Sequence, residues 1–204
     1  MAYRIVVLTK PVEAPFLLQF VRRENPGLEV ETALNEAELR QKIGSQAADT
    51  RLISFNCNTI VPKDILDLLG PVPYNIHPGP PAYPGTYPIA YALKDKARQY
   101  GATAHEIWEK VDAGPIVYAE QQTISPDISL QQLTELAFTL ATKAFSVIAS
   151  HCAQSATALP HLAYQWSQNK STHKSYQQMC KPPANATPTE RAELKRICGD
   201  DLIT

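Results

Sequence analysis

Three polar side chains that could do chemistry lie in loops beside predicted strands: Asn75, His77 and Asp112. An imidazole can donate or accept a proton near neutral pH, and an Asn amide can hydrogen-bond a developing oxyanion. A nearby aspartate is expected to orient the histidine and to raise its pKa. Together these groups suit attack on a carbonyl carbon, with removal of a proton from the attacking group.

Asn75 and His77 open a segment rich in proline and glycine, NIHPGPPAYPG, at residues 75–85. Proline restricts the backbone and donates no N–H group. A loop of this composition would hold Asn75 and His77 at a fixed distance from a substrate, with little conformational entropy left to lose. On its spacing alone, the Asn-x-His pair is equally compatible with a structural turn.

Apolar runs alternate with amphipathic segments along the chain, which predicts an α/β fold with a mostly parallel sheet and helices on both faces. Ligands bind beyond the carboxyl ends of the strands in such sheets, and the strand at 72–76 leads directly into the Asn75–His77 segment. Strands are predicted at 3–9, 28–32, 51–55, 72–76, 103–109 and 116–119, and helices at 14–23, from 35, at 62–70, 86–96 and 130–152.

The composition of the 204 residues excludes several classes of partner. The formal net charge of -1 gives no electrostatic reason to expect nucleic acid or a membrane surface. No uninterrupted apolar run approaches the roughly 20 residues of a membrane span, and the N-terminus lacks the features of a signal peptide. A cytoplasmic protein is therefore expected.

The four cysteines, at 57, 152, 180 and 198, form no CxxC pair, which predicts reduced thiols and no metal site.

The segment at 75–85 resembles the signature of the folate-dependent formyltransferases, which include the glycinamide ribonucleotide and methionyl-tRNA enzymes. The resemblance continues through TYPIAYALKDK at 86–96 and GATAHEIWEKVDAGPIV at 101–117, which places Asp112 in a V-D-x-G-x-I pattern. It implies the Rossmann-like formyltransferase fold, with one βα unit fewer before Asn75 than the family usually has.

The resemblance also implies roles for individual residues. Asn75 would bind and polarise the formyl oxygen of the co-substrate 10-formyltetrahydrofolate, and His77 would act as an acid or a proton carrier. Asp112 would pair with His77 and help to position a water or an amine. His105 matches a family histidine, and both a structural and a direct role stay open for it. The pterin ring would bind between two loops, at Cys57, Asn58 and Thr59 and at Glu109, Lys110 and Val111.

Two departures from the family narrow the choice of acceptor. TKPVEAPF follows the first strand, where the glycinamide ribonucleotide enzymes have a glycine-rich loop, and this disfavours a phosphoribosyl substrate. The chain is too short to include the C-terminal barrel of the methionyl-tRNA enzymes, and it has no basic patch, so tRNA is not expected.

Three functions stay open. The favoured one is an N-formyltransferase that acts on the amine of a small molecule, such as an amino sugar on a nucleotide carrier. The others are a 10-formyltetrahydrofolate hydrolase that releases formate and a non-catalytic folate-binding protein. The predicted organisation is a catalytic domain at 1–154 followed by a polar C-terminal extension at 155–204 with little core of its own. A solvated arm, or a segment packed along the domain or a partner, is favoured for this extension. The alternative is that it lines an acceptor pocket or a dimer interface with Trp166, Lys170, His173, Lys174 and Tyr176. A homodimer is a further hypothesis.

Overall fold

The protein, described from a computed structural model, is defined at residues 3–202 apart from the side chain of Ser45. Six strands form one sheet in the order β2-β1-β3-β4-β5-β6. The first four strands are parallel, whereas β5 is antiparallel to β4 and β6 is antiparallel to β5. The predicted mostly parallel α/β sheet is confirmed. The strands are β1 (Arg4–Leu8), β2 (Glu29–Ala33), β3 (Thr50–Phe55), β4 (Tyr74–His77), β5 (Gln99–Glu106) and β6 (Ile116–Thr123).

Helices cover both faces of the sheet, as predicted. On one face, α1 (Ala14–Glu24) and α5 (Leu130–Gln154) pack against Val7 and Phe55, among others. On the other face, α2 (Glu36–Ile43) and the short α3 (Lys63–Leu66) pack against Val6 and Leu8. Because side chains alternate between the two faces of a strand, a strand covered on both sides buries consecutive residues. All five residues of β1 are buried, and four of them, Ile5–Leu8, are apolar. The fifth, Arg4, forms ion pairs with Glu29 and Glu31.

The predicted starts of two helices are confirmed by their hydrogen bonds. The Asn35 side chain accepts the Glu38 backbone N–H, and Ser129 and Gln132 form a reciprocal capping box at the start of α5. Two other elements differ from the prediction. The segment at 62–70 is helical only over the four residues of α3. β5 begins earlier than predicted, at Gln99, and ends at Glu106, where the chain leaves the sheet towards Asp112.

The apolar helix α5 is long and apolar enough to cross a membrane by length and composition, with a mean hydropathy of 1.3 over its most apolar 18 residues. Glu135 and Lys143 interrupt this helix, which is why no uninterrupted apolar run in the sequence approaches the length of a membrane span. Half of that window is buried inside the protein. Its buried side chains, including Leu140, Phe145 and Ile148, pack against the sheet, so α5 is a core helix of this fold.

The C-terminal residues pack onto the rest of the protein. After α4 (Pro88–Lys94), α5 and a long loop come α6 (His173–Met179) and α7 (Pro188–Cys198). Tyr176 and Ile197 of these helices are buried in a second core with residues of α4 and α5. A disulfide joins Cys180 to Cys198, whose Cα atoms are 5.8 Å apart.

The prediction of reduced thiols throughout is therefore wrong for Cys180 and Cys198. The C-terminal segment packs along the domain, which is one of the alternatives stated for it, and contributes a few buried residues to the second core. The polar composition concealed the few buried residues of α6 and α7. The spacing of the cysteines along the chain does not show which helices pack together, so the pairing of Cys180 with Cys198 could not be predicted from it. Within residues 3–202, Cys57 and Cys152 are the free cysteines.

Candidate active site

The spacing of Asn75 and His77 follows from the geometry of β4. Side chains alternate along a strand, and Tyr74 and Ile76 belong to the core beneath α5. Asn75 and His77 therefore share the opposite face. The antiparallel register places His105 of β5 directly opposite Asn75. The sheet thus brings an amide and two imidazoles to one face, at the carboxyl end of β4.

Asp112 reaches the same place from the loop that follows β5. Its backbone has a φ of 43°, in the left-handed region that Asp tolerates better than most residues. One carboxylate oxygen lies 3.2 Å from Nε2 of His105 and the other lies 3.5 Å from Nδ1 of His77. The Gly85 N–H donates to the second oxygen at 2.7 Å. All three side chains of this cluster are at most 5% exposed.

A single ring nitrogen of His105 faces two competing partners. Nδ1 of His105 lies 2.7 Å from the Glu106 carbonyl oxygen, which can only accept, so this nitrogen carries a hydrogen. Nε2 lies 3.0 Å from the amide nitrogen of Asn75 and 3.2 Å from a carboxylate oxygen of Asp112. A bond from the amide requires a lone pair on Nε2, whereas a bond to the carboxylate requires a proton there. Whether Nε2 carries a proton therefore decides whether His105 binds the Asp112 carboxylate or the Asn75 amide.

The ionisation of Asp112 and His77 is set by burial and by their contact with each other. Burial raises the pKa of Asp112, but the two imidazoles and the Gly85 N–H outweigh it, and the pKa lies well below its usual range. Burial lowers the pKa of His77, and the attraction of Asp112 offsets this only in part. Asp112 raises the pKa of His77, as predicted, but the loss of hydration exceeds the attraction across 3.5 Å, so the pKa is lowered overall.

Nε2 of His77 lies 2.9 Å from the Tyr83 carbonyl oxygen and so carries the hydrogen. In the neutral ring, the lone pair on Nδ1 then faces Asp112. This arrangement leaves His77 able to accept a proton at Nδ1.

The Pro/Gly segment at 78–85 is tied to β5 by two hydrogen bonds. The Tyr100 hydroxyl donates to the Pro78 carbonyl at 2.8 Å, and the Thr103 hydroxyl donates to the Gly79 carbonyl at 2.8 Å. A Cβ atom at Gly79 would lie 2.6 Å from Nε2 of His77. Glycine is required there because the loop passes directly against the imidazole, and that contact helps to hold the ring in place.

A cavity of about 580 Å³ opens in front of these residues, at the carboxyl ends of the parallel strands. Pockets of this size accommodate an organic co-substrate. Of the residues predicted to bind the pterin, Cys57, Asn58, Thr59, Lys110 and Val111 line the cavity. Glu109 is not among the described residues that line it.

Sequence reasoning missed several other residues of the cavity wall. Lys10 lies two residues after β1, so its position at a strand end could have indicated it. Asn56, which directly follows β3, also lines the cavity and begins the first of the two loops that the family resemblance assigns to the pterin. Trp108 directly precedes the second of these loops, which begins at Glu109. Tyr87 and His173 come together only in the folded protein, where the Tyr87 hydroxyl and Nδ1 of His173 are 3.0 Å apart. No short-range pattern in the sequence connects that pair.

The sequence of residues 18–148 matches the profile of the formyl transferase family. This chain belongs to that family. The methionyl-tRNA formyltransferase of Thermotoga neapolitana is 31% identical over 102 residues, which make up 50% of this chain and 32% of that relative. The matched part of the chain thus spans about a third of the curated relative's length.

Two solved structures share the fold. A sugar N-formyltransferase from Shewanella sp. aligns with a TM-score of 0.77 at 15% identity, over 98% of this chain and 90% of that one. An N-formyltransferase from Helicobacter canadensis, solved with folinic acid and dTDP-3-aminofucose, aligns with a TM-score of 0.69 at 13% identity, over 96% and 80%.

Proposed function

We propose that the protein transfers a formyl group from 10-formyltetrahydrofolate to the amine of a small molecule, and that this acceptor is an amino sugar. The observation that carries the proposal is that the buried His77, His105 and Asp112 lie with the half-buried Asn75 at a cavity large enough for a folate. The folinic acid and the amino-sugar nucleotide bound to the Helicobacter canadensis enzyme support the choice of donor and acceptor class.

The two sides of the cavity suit two substrates. The loops after β3 and β5 contribute Cys57, Asn58, Thr59, Lys110 and Val111, and we assign this side to the donor because the family resemblance places the pterin there. The start of α4 and the C-terminal segment contribute Tyr87 and His173. These two residues supply an aromatic ring and an imidazole, and we assign their side to the acceptor.

In the proposed reaction, the acceptor amine attacks the formyl carbon, a new C–N bond forms and the bond from that carbon to N10 breaks. The Asn75 amide donates a hydrogen bond to the formyl oxygen as negative charge develops on it. His77, neutral and with Nδ1 towards Asp112, accepts the proton that the amine loses, and the charge of Asp112 stabilises the resulting imidazolium. A proton is returned to N10 of the leaving tetrahydrofolate, so the reaction is balanced.

The proposal is tested by incubating the protein with 10-formyltetrahydrofolate and a panel of free and nucleotide-linked amino sugars. Tetrahydrofolate should appear together with a formylated amine, and only when an acceptor is present. Equal release of formate without any amine would indicate the hydrolase instead. Asn75→Ala should lose about 100-fold in turnover, as expected for loss of an oxyanion donor. Asn185→Ala, at an exposed asparagine, is the matched control.

Binding is measured separately by calorimetry with a non-reactive analogue of the donor. A micromolar dissociation constant, about -8 kcal/mol, is expected for the wild type. Absence of binding at millimolar analogue would overturn the folate assignment.

A further inference from the structure

Residues 156–171, which we call the strap, run from the end of α5 to the start of α6 across the catalytic loops. The first part of the strap is bound to the sheet. Arg51 is fully buried, and its guanidinium donates to the carbonyl oxygens of residues 156 and 157. The Leu159 N–H donates to the Tyr74 hydroxyl at 2.8 Å, and the Leu162 N–H donates to the Ile116 carbonyl at 2.7 Å. These contacts fix the path along which the strap reaches the site.

The second part of the strap is bound to the loops that carry the site residues. The Ser167 N–H donates to the Pro81 carbonyl at 2.9 Å, and the Ser171 N–H donates to the Pro84 carbonyl at 3.0 Å. The Lys170 ammonium donates to the carbonyl oxygen of Val111, the residue before Asp112. The strap thus connects the Pro/Gly segment after His77 with the turn that carries Asp112.

One residue of the strap, Trp166, contacts both imidazoles of the site. Its ring centroid lies 5.0 Å from that of His105 at an interplanar angle of 87°, and 5.6 Å from that of His77 at 78°. Both are edge-to-face arrangements, which aromatic rings prefer. The indole N–H donates to the Gly114 carbonyl at 2.9 Å, which fixes the indole beside the turn that carries Asp112.

We propose that Trp166 is a positioning residue, whose indole holds the imidazoles of His77 and His105 in the orientation in which both face Asp112. Each imidazole is hydrogen-bonded to a backbone carbonyl through one ring nitrogen and faces Asp112 with the other, and contacts at the two nitrogens still allow the ring to tilt about the line that joins them. The edge-to-face contact restricts that tilt. Because misplacement of a catalytic group by about 1 Å can cost about 100-fold in rate, a side chain that does not touch the substrate can still control turnover.

The test compares Trp166→Leu, which removes the ring and the N–H donor, with Trp166→Phe, which keeps an aromatic ring. The kinetic readout rests on the proposed formyl transfer. We expect Trp166→Leu to lower kcat by about 10- to 100-fold while the KM for 10-formyltetrahydrofolate changes by less than about threefold. Trp166→Phe should recover most of kcat. Tyr164→Ala, at a 51% exposed position of the same strap, should leave both constants unchanged.

The second readout does not depend on activity. The ring ¹⁵N resonances of His77 and His105 are followed by NMR as a function of pH in the wild type and in both variants. The charged or titratable groups that face His77 are Asp112, His105 and Lys170, and all are retained. In Trp166→Leu the resonances of both rings should shift, and His77 should titrate closer to its ordinary pKa because its ring tilts out of the buried site. In Trp166→Phe the shifts should be small.

The outcomes separate this inference from the proposed function. Unchanged imidazole resonances in a folded Trp166→Leu protein would overturn the positioning role, even if formyl transfer is established. If the resonances shift but no amine acceptor is found, the positioning role is supported and only the proposed formyl transfer is contradicted. Folding is checked by circular dichroism. If Trp166→Leu does not fold, Trp166→Met replaces it, with the same outcomes for and against.

Discussion

At the scale of single residues, Asp112 determines how the site is assembled. Its carboxylate contacts His77, His105 and the Gly85 N–H, and it is buried and ionised. A buried charge of this kind is stable only when several partners surround it. Each partner comes from a different part of the chain, so the single carboxylate holds β4, β5 and the Pro/Gly segment in register around the reaction centre.

We expect Asp112→Asn to bind the donor analogue normally and to lose about 100-fold or more in turnover. An asparagine can still accept the Gly85 N–H, but it has no charge to stabilise a protonated His77. Calorimetry and steady-state kinetics measure the two effects separately. Asp127→Asn, at an exposed aspartate, is the control. Equal turnover in Asp112→Asn and the wild type would remove Asp112 from the mechanism.

The lowered pKa of His77 predicts a loss of stability in mild acid. Below its ordinary pKa of about 6.5, His77 takes up a proton in the unfolded chain, whereas burial delays this uptake in the folded protein. The unfolded state then binds more protons, so the free energy of unfolding falls as the pH drops, by at most about 1.4 kcal/mol per pH unit for one proton. The pKa of Asp112 is also lowered in the folded protein, so the loss of stability that comes from its protonation occurs below about pH 4.

Urea unfolding between pH 8 and pH 5 tests this expectation. His77→Gln should reduce the dependence of stability on pH below about 6.5, because the other charged or titratable groups that face His77, namely Asp112, His105 and Lys170, are all retained. His151→Gln, at a histidine near the end of α5 that lies outside the site, should retain the wild-type dependence. The same pH dependence in His77→Gln and the wild type would contradict the assignment.

The site could be predicted only in part from the sequence. Asn75, His77 and Asp112 could be identified from local patterns. The first two are two residues apart on a predicted strand, and Asp112 lies in a short turn motif. The second imidazole, His105, depends on the register between β4 and β5. Trp166 depends on a contact 61 or more residues away, between positions 105 and 166. Neither registers nor long-range contacts leave a short-range signature, so the roles of these two residues could not be derived in advance.

At the scale of structural elements, the Pro/Gly segment and the strap meet at Gly85. This residue has a φ of 95°, and a Cβ atom there would lie 2.0 Å from the Ser171 carbonyl oxygen. Gly85 also donates its N–H to Asp112. Gly85 is therefore both the point where the strap backbone closely approaches the Pro/Gly segment and a hydrogen-bond donor to the Asp112 carboxylate.

Gly85→Ala should lower both stability and turnover. The positive φ alone costs on the order of 1–3 kcal/mol for a residue with a side chain, and the clash with Ser171 adds to it by separating the strap from the loop. Gly44→Ala is the matched control, since Gly44 has a φ of 43° with no described atom within 4 Å of the added Cβ. Urea unfolding and kinetics of both variants distinguish strain from clash. Equal losses in the two variants would show that the contact with Ser171 is unimportant.

The order of strands and helices up to α5 was predictable from the hydrophobic pattern. A continuous apolar run marks most of β1, and a 3.6-residue period marks α1 and α5, whereas α6 and α7 lie in the segment predicted as a polar extension. The strap has no period, and it is fixed by backbone hydrogen bonds to segments far away in the chain. A polar, irregular segment of this kind is indistinguishable by composition from a solvated extension.

At the scale of the whole molecule, the C-terminal helices close a second core beside the sheet. Tyr176 of α6 stacks on Tyr87 at a centroid distance of 3.7 Å, and Tyr87 lines the cavity. The packing of α6 is thus connected to the acceptor side of the proposed site. The disulfide between Cys180 and Cys198 fixes α6 to α7. Disulfides are rare in reducing compartments, so a cytoplasmic location stays a prediction that this feature does not favour.

The disulfide should contribute about 3 kcal/mol to stability, since cross-linking a loop of this length restricts the unfolded chain by roughly that amount. The two cysteines are 18 residues apart. A Cys180→Ala/Cys198→Ala variant should be less stable than the wild type in urea, and dithiothreitol should destabilise the wild type but not the variant. Cys57→Ala, which removes a free cysteine, should keep the response to the reductant. If the reductant leaves the wild type unchanged, the two cysteines are thiols in solution, and α6 and α7 are held by their apolar contacts alone.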